Sequence, residues 1–137
     1  MSALVLDCSV AVSWLFQDEA DSGSDALQEV VAEKGAIVPA LWPLEVANVL
    51  LQAERRGRVT AADTDERLHL LASLPVTIDD AAGNLASAGI VMLAREHGLT
   101  SYDAAYLELA ARAGVPLATL DKALRKAAAN AGVKVLP

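Results

Sequence analysis

Short apolar runs alternate with longer helical stretches along this chain of 137 residues. The first run, Ala3-Leu4-Val5-Leu6-Asp7, is continuously apolar until its last residue, as is typical of a strand buried on both faces. Similar runs occur at 36–39, 75–78, 116–120 and 133–136, and one or two stretches with helical periodicity separate each run from the next. This alternation predicts a three-layer α/β/α sandwich around a mostly parallel sheet of four to five strands.

The helical stretches have recognisable starts and stops. The predicted helices, most of which end at or next to a glycine, are Ser9–Phe16, Ser22–Lys34, Leu44–Arg56, Ala61–Leu71, Ala81–His97, Tyr102–Ala113 and Lys122–Asn130. Thr60 and Ser101 precede two of them and are predicted to cap them, because a hydroxyl can accept a hydrogen bond from the helix start. Asp79 and Asp80 are interpreted as a helix cap away from any functional site. The length predicts a single domain over 1–137.

Composition excludes several classes of protein. No apolar run approaches the roughly 20 residues of a membrane span. The start of the chain lacks the basic segment of a signal peptide, so we expect no secretion signal and a cytoplasmic protein. Cys8 is the only cysteine, which excludes an internal disulfide and a multi-cysteine zinc site. The formal charge of -7 argues at first sight against nucleic-acid binding, because phosphates repel an acidic surface.

Four acidic residues are predicted to meet at one edge of the sheet. Asp7 and Asp121 directly follow apolar runs, and Glu45 and Asp103 fall near the starts of predicted helices. Ligands of an open parallel sheet bind beyond the carboxyl ends of its strands. Each acid taken singly is also explained as a helix cap or a favourable charge in the helix dipole. Together, four carboxylates repel each other unless cations hold them, and oxygen ligands without Cys or His favour Mg²⁺ or Mn²⁺.

The residues around these acids carry a family pattern. The segments Val5–Ser9, Pro43–Asn48, Leu99–Leu107 and Thr119–Asp121 together resemble the PIN-domain ribonucleases, and specifically the VapC toxins of bacterial toxin–antitoxin pairs. The resemblance covers essentially the whole chain, and the third segment, Leu-Thr-Ser-Tyr-Asp-Ala-Ala-Tyr-Leu, is its most specific part. One departure is Cys8, where the family often has Thr. That side chain is predicted to point away from the carboxylate of the preceding aspartate.

The resemblance implies a PIN-like fold and a Mg²⁺- or Mn²⁺-dependent endoribonuclease that hydrolyses RNA phosphodiester bonds and inhibits translation when released. The residues that match the family's catalytic and metal-binding acids are Asp7, Glu45, Asp103 and Asp121. The residues that match polar positions beside them, and are expected to orient the carboxylates, are Ser9, Asn48 and Thr119. The implied partners are an RNA substrate, with transfer RNA expected by analogy, a VapB-type antitoxin and a second copy of the chain, and no membrane is implied.

Other residues carry weaker predictions. Lys122, Arg125 and Lys126 crowd one sector of a helix just after the last acid, where they can hold the RNA backbone or simply face solvent. Tyr102 and Tyr106, four residues apart, are predicted to pack in the core rather than to stack on bases. The apolar surface of a homodimer is expected from either of two groups, which are Leu44, Val49 and Leu50, or the region near Trp14 and Phe16.

Two alternative functions remain open from the residues. A receiver-like or phosphatase-like domain that accepts a phosphoryl group also places a strand-end aspartate beside Mg²⁺. The phosphatase pattern needs a second aspartate where Ser9 stands, and the receiver pattern needs adjacent acids where the chain has Asp7-Cys8 and a lysine where it has Asp121. The other alternative is a non-catalytic interaction module of the PIN fold, which is expected to lose carboxylates that this chain retains.

Overall fold

The computed structural model of the chain describes residues 2–16, 18, 22–80 and 83–137, except for the side chains of residues 83–86. These residues form five strands and seven helices. The strands are β1 (Val5–Leu6), β2 (Ala36–Val38), β3 (Val76–Ile78), β4 (Leu117–Ala118) and β5 (Val135–Leu136). The helices are α1 (Cys8–Ser13), α2 (Ser22–Lys34), α3 (Trp42–Arg55), α4 (Ala61–Ala72), α5 (Gly83–His97), α6 (Ser101–Ala113) and α7 (Lys122–Asn130).

The five strands form one parallel sheet in the order β3-β2-β1-β4-β5. Val5 pairs with Ile37 on one side and Leu117 on the other, and Leu6 pairs with Ala118. Successive residues of a strand point to opposite faces, yet Val5 and Leu6 are both fully buried. Helices therefore cover both faces of the sheet, and the predicted α/β/α sandwich is confirmed.

Helix α6 contributes the largest part of one helical layer. It packs against β1, β4, α5 and α7. Tyr106 is fully buried in this layer, as predicted, but the prediction of a core position for Tyr102 is wrong, since that side chain is 65% exposed. The reason is that Tyr102 stands in the first turn of α6, where the helix emerges at the edge of the sheet, whereas Tyr106 lies one turn further along.

The helix starts show one confirmed cap and one misplaced cap. Thr60 caps α4 through a reciprocal pair of hydrogen bonds with Asp63, each 3.0 Å long. At α6 the cap is Thr100 rather than Ser101, because the backbone N–H of Asp103 donates to Thr100 Oγ1 at 3.1 Å. Ser101 is the first residue inside the helix, so the predicted helix start was one residue late.

The segment before α5 carries an ion pair. Asp79, which was interpreted with Asp80 as a helix cap, accepts from Arg112 Nη2 at 2.6 Å through its Oδ2. The predicted start of the next helix at Ala81 lies outside the described residues. Within the described part of the chain, no helix is long and apolar enough to cross a membrane.

Candidate active site

The sheet register brings Asp7 and Thr119 to the same edge of the sheet. The backbone N–H of Asp7 donates to the carbonyl of Ala118 at 2.9 Å, which continues the β1–β4 pairing one residue beyond β1. The backbone N–H of Thr119 donates in the same way to the carbonyl of Leu136 at 3.0 Å. Asp7 and Thr119 are therefore neighbours at the carboxyl edge of the sheet, where the sequence predicted the site.

Two hydroxyl groups hold the carboxylate of Asp7. Its Oδ2 accepts from Ser9 Oγ at 2.6 Å and from Thr119 Oγ1 at 2.7 Å. Each hydroxyl is itself fixed by a backbone N–H, from Leu120 to Ser9 at 2.9 Å and from Asp121 to Thr119 at 3.1 Å. Asp7 precedes α1, but its side chain makes no capping hydrogen bond. The hydroxyls of Ser9 and Thr119, rather than a capping bond, therefore hold the carboxylate at the sheet edge.

Glu45 lies in the first turn of α3, which begins at Trp42 and has Pro43 as its second residue. Its Oε1 accepts a hydrogen bond from the hydroxyl of Tyr106, which reaches it from α6. The sequence predicted Tyr106 only as a core residue. The signal that points to this contact is the spacing of Asp103 and Tyr106, three residues apart, which places both on one side of α6.

The remaining two acids differ in how their carboxylates are engaged. Thr100 caps α6, so the half-buried Asp103 in the first turn is not needed as the cap. Asp121 is exposed and does act as a cap, because its Oδ1 accepts from the backbone N–H of Leu124 at 2.9 Å. Asp121 thus caps α7 and is also one of the predicted metal-binding acids.

Burial controls the protonation of the first acid and of its neighbour. It raises the pKa of the Asp7 carboxyl above its ordinary value, and the hydrogen bonds from Ser9 and Thr119 offset part of that rise. Burial, assisted by the negative charges of Asp7 and Glu45, raises the pKa of the Cys8 thiol to about 12. Cys8 therefore stays protonated at neutral pH, and its buried side chain packs in the core.

The four acids are coupled through their charges. Burial raises the pKa of Glu45, Tyr106 lowers it, and Asp7 and Asp103 raise it further. Burial also raises the pKa of Asp103, followed by repulsion from Asp121 and Asp7. Asp7, Glu45 and Asp103 therefore lie close enough for their negative charges to oppose simultaneous ionisation, and Asp121 adds its charge next to Asp103.

The donor set suits a hard cation that keeps part of its water shell. No three His, Cys, Asp or Glu side chains among the described residues converge into a ready-made metal site. Hydrogen bonds hold three of the four carboxylates, which are Asp7 by Ser9 and Thr119, Glu45 by Tyr106, and Asp121 by Leu124. Mg²⁺ binds through one or two carboxylates and several waters, so coupled carboxylates without full convergence fit it better than they fit zinc.

The sequence profile of the PIN domain family matches residues 4–130. The chain belongs to the PIN-domain family. Over 124 residues it is 32% identical to Ribonuclease VapC3 of Mycobacterium tuberculosis, an alignment that covers 90% of this chain and 86% of the relative.

Solved structures share the fold. The crystal structure of PAE2754 from Pyrobaculum aerophilum is similar with a TM-score of 0.70 and 25% identity, covering 92% of this chain and 86% of that one. A toxin-antitoxin complex from Klebsiella pneumoniae is similar with a TM-score of 0.65 and 17% identity, and the match covers 99% of this chain and 97% of that one. The crystal structure of FitAcB from Neisseria gonorrhoeae is similar with a TM-score of 0.64 and 19% identity, and the match covers 98% of this chain and 96% of that one.

Three further predicted residues of this PIN domain lie outside the hydrogen-bond network. Asn48 is exposed on α3 and makes no hydrogen bond to Glu45 among the described residues. Lys122 and Lys126 are exposed on α7, which begins directly after Asp121. Both lysines are therefore available to solvent beside the acids.

Arg125, the third predicted RNA-binding residue, is engaged within the domain. Its Nη1 donates to the carbonyls of Thr119 at 2.7 Å and Leu136 at 3.3 Å, and its Nη2 donates to the carbonyl of Pro137 at 3.1 Å. These bonds fasten α7 to the ends of β4 and β5. No sequence pattern indicated this role, since it depends on the proximity of two strand ends.

Proposed function

We propose that this PIN-domain protein is a Mg²⁺- or Mn²⁺-dependent endoribonuclease of the VapC type. The observation that carries the proposal is the carboxylate of Asp7 at the carboxyl edge of the sheet, which Ser9 and Thr119 hold by hydrogen bonds and whose charge acts on Glu45 and Asp103. These acids occur in a chain 32% identical to a ribonuclease over most of its length. A receiver-like or phosphatase-like function, the first alternative, has no comparable support.

The acids would divide the work of phosphodiester hydrolysis. Asp7, Asp103 and Asp121 would hold the ion, and Glu45 would bind a second ion or a water, or act as a base. A bound Mg²⁺ or Mn²⁺ supplies positive charge beside the scissile phosphate and lowers the pKa of a coordinated water. The hydroxyls of Ser9 and Thr119 would orient the carboxylate that they bond, and such partners are generally worth 10–100-fold in metal affinity or activity.

The acidic character of the chain is compatible with this substrate. Four of its negative charges lie in the proposed metal site, where divalent cations neutralise them. The formal charge of -7 therefore does not exclude an RNA substrate. It is instead in keeping with metal dependence and with a basic partner that covers the site.

The proposed partners follow from the family. We propose a VapB-type antitoxin that restrains the enzyme in the cytoplasm, with transfer RNA as substrate and loss of translation on release. One structure that shares the fold is a toxin-antitoxin complex from Klebsiella pneumoniae. For the proposed homodimer, Leu44 supports the α3 surface because it is 74% exposed, but Leu50 is fully buried and was wrongly included.

The test is cleavage of RNA by matched variants. Purified wild-type protein is incubated with total cellular RNA in Mn²⁺ or in EDTA, beside Asp103→Asn and Asp65→Asn. Asp65 is exposed on α4, so its variant makes the same chemical change outside the proposed site. We expect discrete fragments in Mn²⁺ only, unchanged cleavage by Asp65→Asn, and a loss of about 100-fold or more in Asp103→Asn, as for other preorganised electrostatic groups.

Each contrary outcome has a distinct meaning. Equal cleavage by wild type and Asp103→Asn contradicts the site. Cleavage in EDTA contradicts the metal dependence. A wild-type protein that cleaves no RNA but binds an antitoxin-like peptide tightly is instead a non-catalytic PIN-fold interaction module.

A further inference from the structure

We infer that Tyr106 is a positioning residue of the site, whose hydroxyl fixes the carboxylate of Glu45 in the orientation that binds the metal ion or its water. The inference rests on the proposed function and assigns a role to a side chain outside the acidic quartet. It is carried by one hydrogen bond, from the Tyr106 hydroxyl to Glu45 Oε1, and by the packing around both residues.

The two side chains differ in how firmly they are held. Tyr106 is among the largest fully buried side chains of the described chain, so its ring is fixed by packing on all sides. Glu45 is only partly buried, and a glutamate side chain is flexible when nothing binds it. The rigid tyrosine therefore restricts the mobile carboxylate. It bonds one of the two carboxylate oxygens, Oε1, and within the described residues no hydrogen bond engages the second oxygen.

The same bond joins the two helices that carry acids into the site. Glu45 belongs to α3, whereas Tyr106 and Asp103 belong to α6 and lie on one side of it. The tyrosine hydroxyl thus sets where the carboxylate of Glu45 stands relative to that of Asp103. Without it, mutual repulsion and burial both favour movement of the Glu45 side chain toward open solvent.

A purely structural explanation predicts something different. Buried tyrosine hydroxyls usually find a hydrogen-bond partner, and Glu45 can serve as that partner with no effect on function. In that case the loss of the hydroxyl lowers stability alone. In the positioning role it also weakens metal binding, and only while Glu45 is present. A double-mutant cycle separates the two explanations.

The experiment measures Mn²⁺ binding by calorimetry for six proteins: wild type, Tyr106→Phe, Tyr102→Phe, Glu45→Ala, Glu45→Asp and the Tyr106→Phe/Glu45→Ala double variant. We expect Tyr106→Phe to weaken binding about tenfold. Tyr102→Phe, the same change on an exposed ring of the same helix, leaves it unchanged. In the Glu45→Ala background, Tyr106→Phe weakens binding no further. Thermal stability in EDTA is measured in parallel.

Two results overturn the inference, namely unchanged Mn²⁺ binding by Tyr106→Phe, or equal weakening with and without Glu45. If Tyr106→Phe does not fold, Glu45→Asp tests the contact from the other side, because it keeps the charge and shortens the reach. Wild-type affinity in Glu45→Asp then overturns the inference. Wild-type protein that binds no Mn²⁺ contradicts both proposals. Mn²⁺ binding without RNA cleavage contradicts only the proposed function.

Discussion

Asp103 stands in two opposing electrostatic environments. Its place in the first turn of α6 favours a negative charge by about 0.3–1 kcal/mol through the helix dipole. Burial and repulsion from Asp121 and Asp7 act in the opposite direction and prevail, because the pKa of Asp103 is raised above its ordinary value of 3.8. Without a cation, the ionised side chain therefore costs stability at neutral pH.

This imbalance predicts a more stable Asp103→Asn protein in EDTA at pH 7. A raised pKa means that the folded state holds a proton that the unfolded state has released. The free energy of unfolding of the wild type therefore falls as pH rises from about 3.8 through the folded pKa. Asparagine does not titrate, so we expect its Tm to exceed that of the wild type by a few degrees at pH 7 and to converge with it near pH 4.

Thermal melts of both proteins in EDTA across this pH range check the prediction, with Asp65→Asn as the exposed control. Added Mn²⁺ should reverse the order by stabilising the wild type more. A lower Tm for Asp103→Asn in EDTA at pH 7 would mean that the dipole and local hydrogen bonds outweigh the repulsion.

The acids were predictable from sequence because their position follows from the chain path alone. A residue that ends a parallel strand, such as Asp7, must lie at the carboxyl edge. Tyr106 was not predictable in the same way. Its role depends on the distance between α3 and α6, which no local pattern encodes, and its spacing to Tyr102 favoured a shared core position that only one of them has.

At the scale of elements, α7 connects the site to the end of the sheet. Asp121 caps the start of α7. Arg125 donates to the carbonyl of Thr119, which directly follows β4, and to the carbonyl of Leu136, the last residue of β5. Thr119 is the residue whose hydroxyl bonds Asp7. Arg125 therefore holds the backbone of the residue whose side chain bonds the carboxylate of Asp7.

We expect Arg125→Met to lower the free energy of unfolding by about 2 kcal/mol, since hydrogen bonds from charged donors contribute about 1.5–3 kcal/mol. Methionine keeps the apolar stem but donates nothing. Urea denaturation measures the effect, and Lys126→Met, on the neighbouring exposed position, should change stability by less than about 0.5 kcal/mol. Unchanged stability of Arg125→Met, together with a weaker salt dependence of cleavage, would favour phosphate contact over this structural role.

The elements themselves were largely predictable, and for local reasons. Gly35 and Gly114 take positive φ values of 79° and 68°, which glycine adopts without strain, and they end α2 and α6 as predicted. The strands are shorter than the apolar runs that predicted them, since β1 spans only Val5–Leu6. An apolar run predicts which residues are buried, whereas the bounds of a strand depend on which backbone groups form hydrogen bonds with a neighbouring strand.

At the scale of the whole molecule, positive charge is placed on both edges of an acidic protein. Lys122 and Lys126 lie on α7, directly after the acid-bearing carboxyl edge of the sheet. Lys34 and Lys134 lie at the opposite edge, just before β2 and β5 begin. If RNA binds at the acids as proposed, we expect it to contact the first pair rather than the second.

A double Lys122→Gln/Lys126→Gln variant should consequently lose phosphate contacts. Each lost contact is expected to reduce the slope of log kcat/KM against log salt concentration by about 0.7–1, so the pair should reduce it by about 1.5–2. Cleavage rates of a defined RNA in Mn²⁺ over a range of salt concentrations measure this slope. The Lys34→Gln/Lys134→Gln variant removes the same charge from the opposite edge and should leave the slope unchanged. If both double variants reduce the slope equally, only the net charge of the protein matters, and if neither does, the RNA backbone does not follow α7.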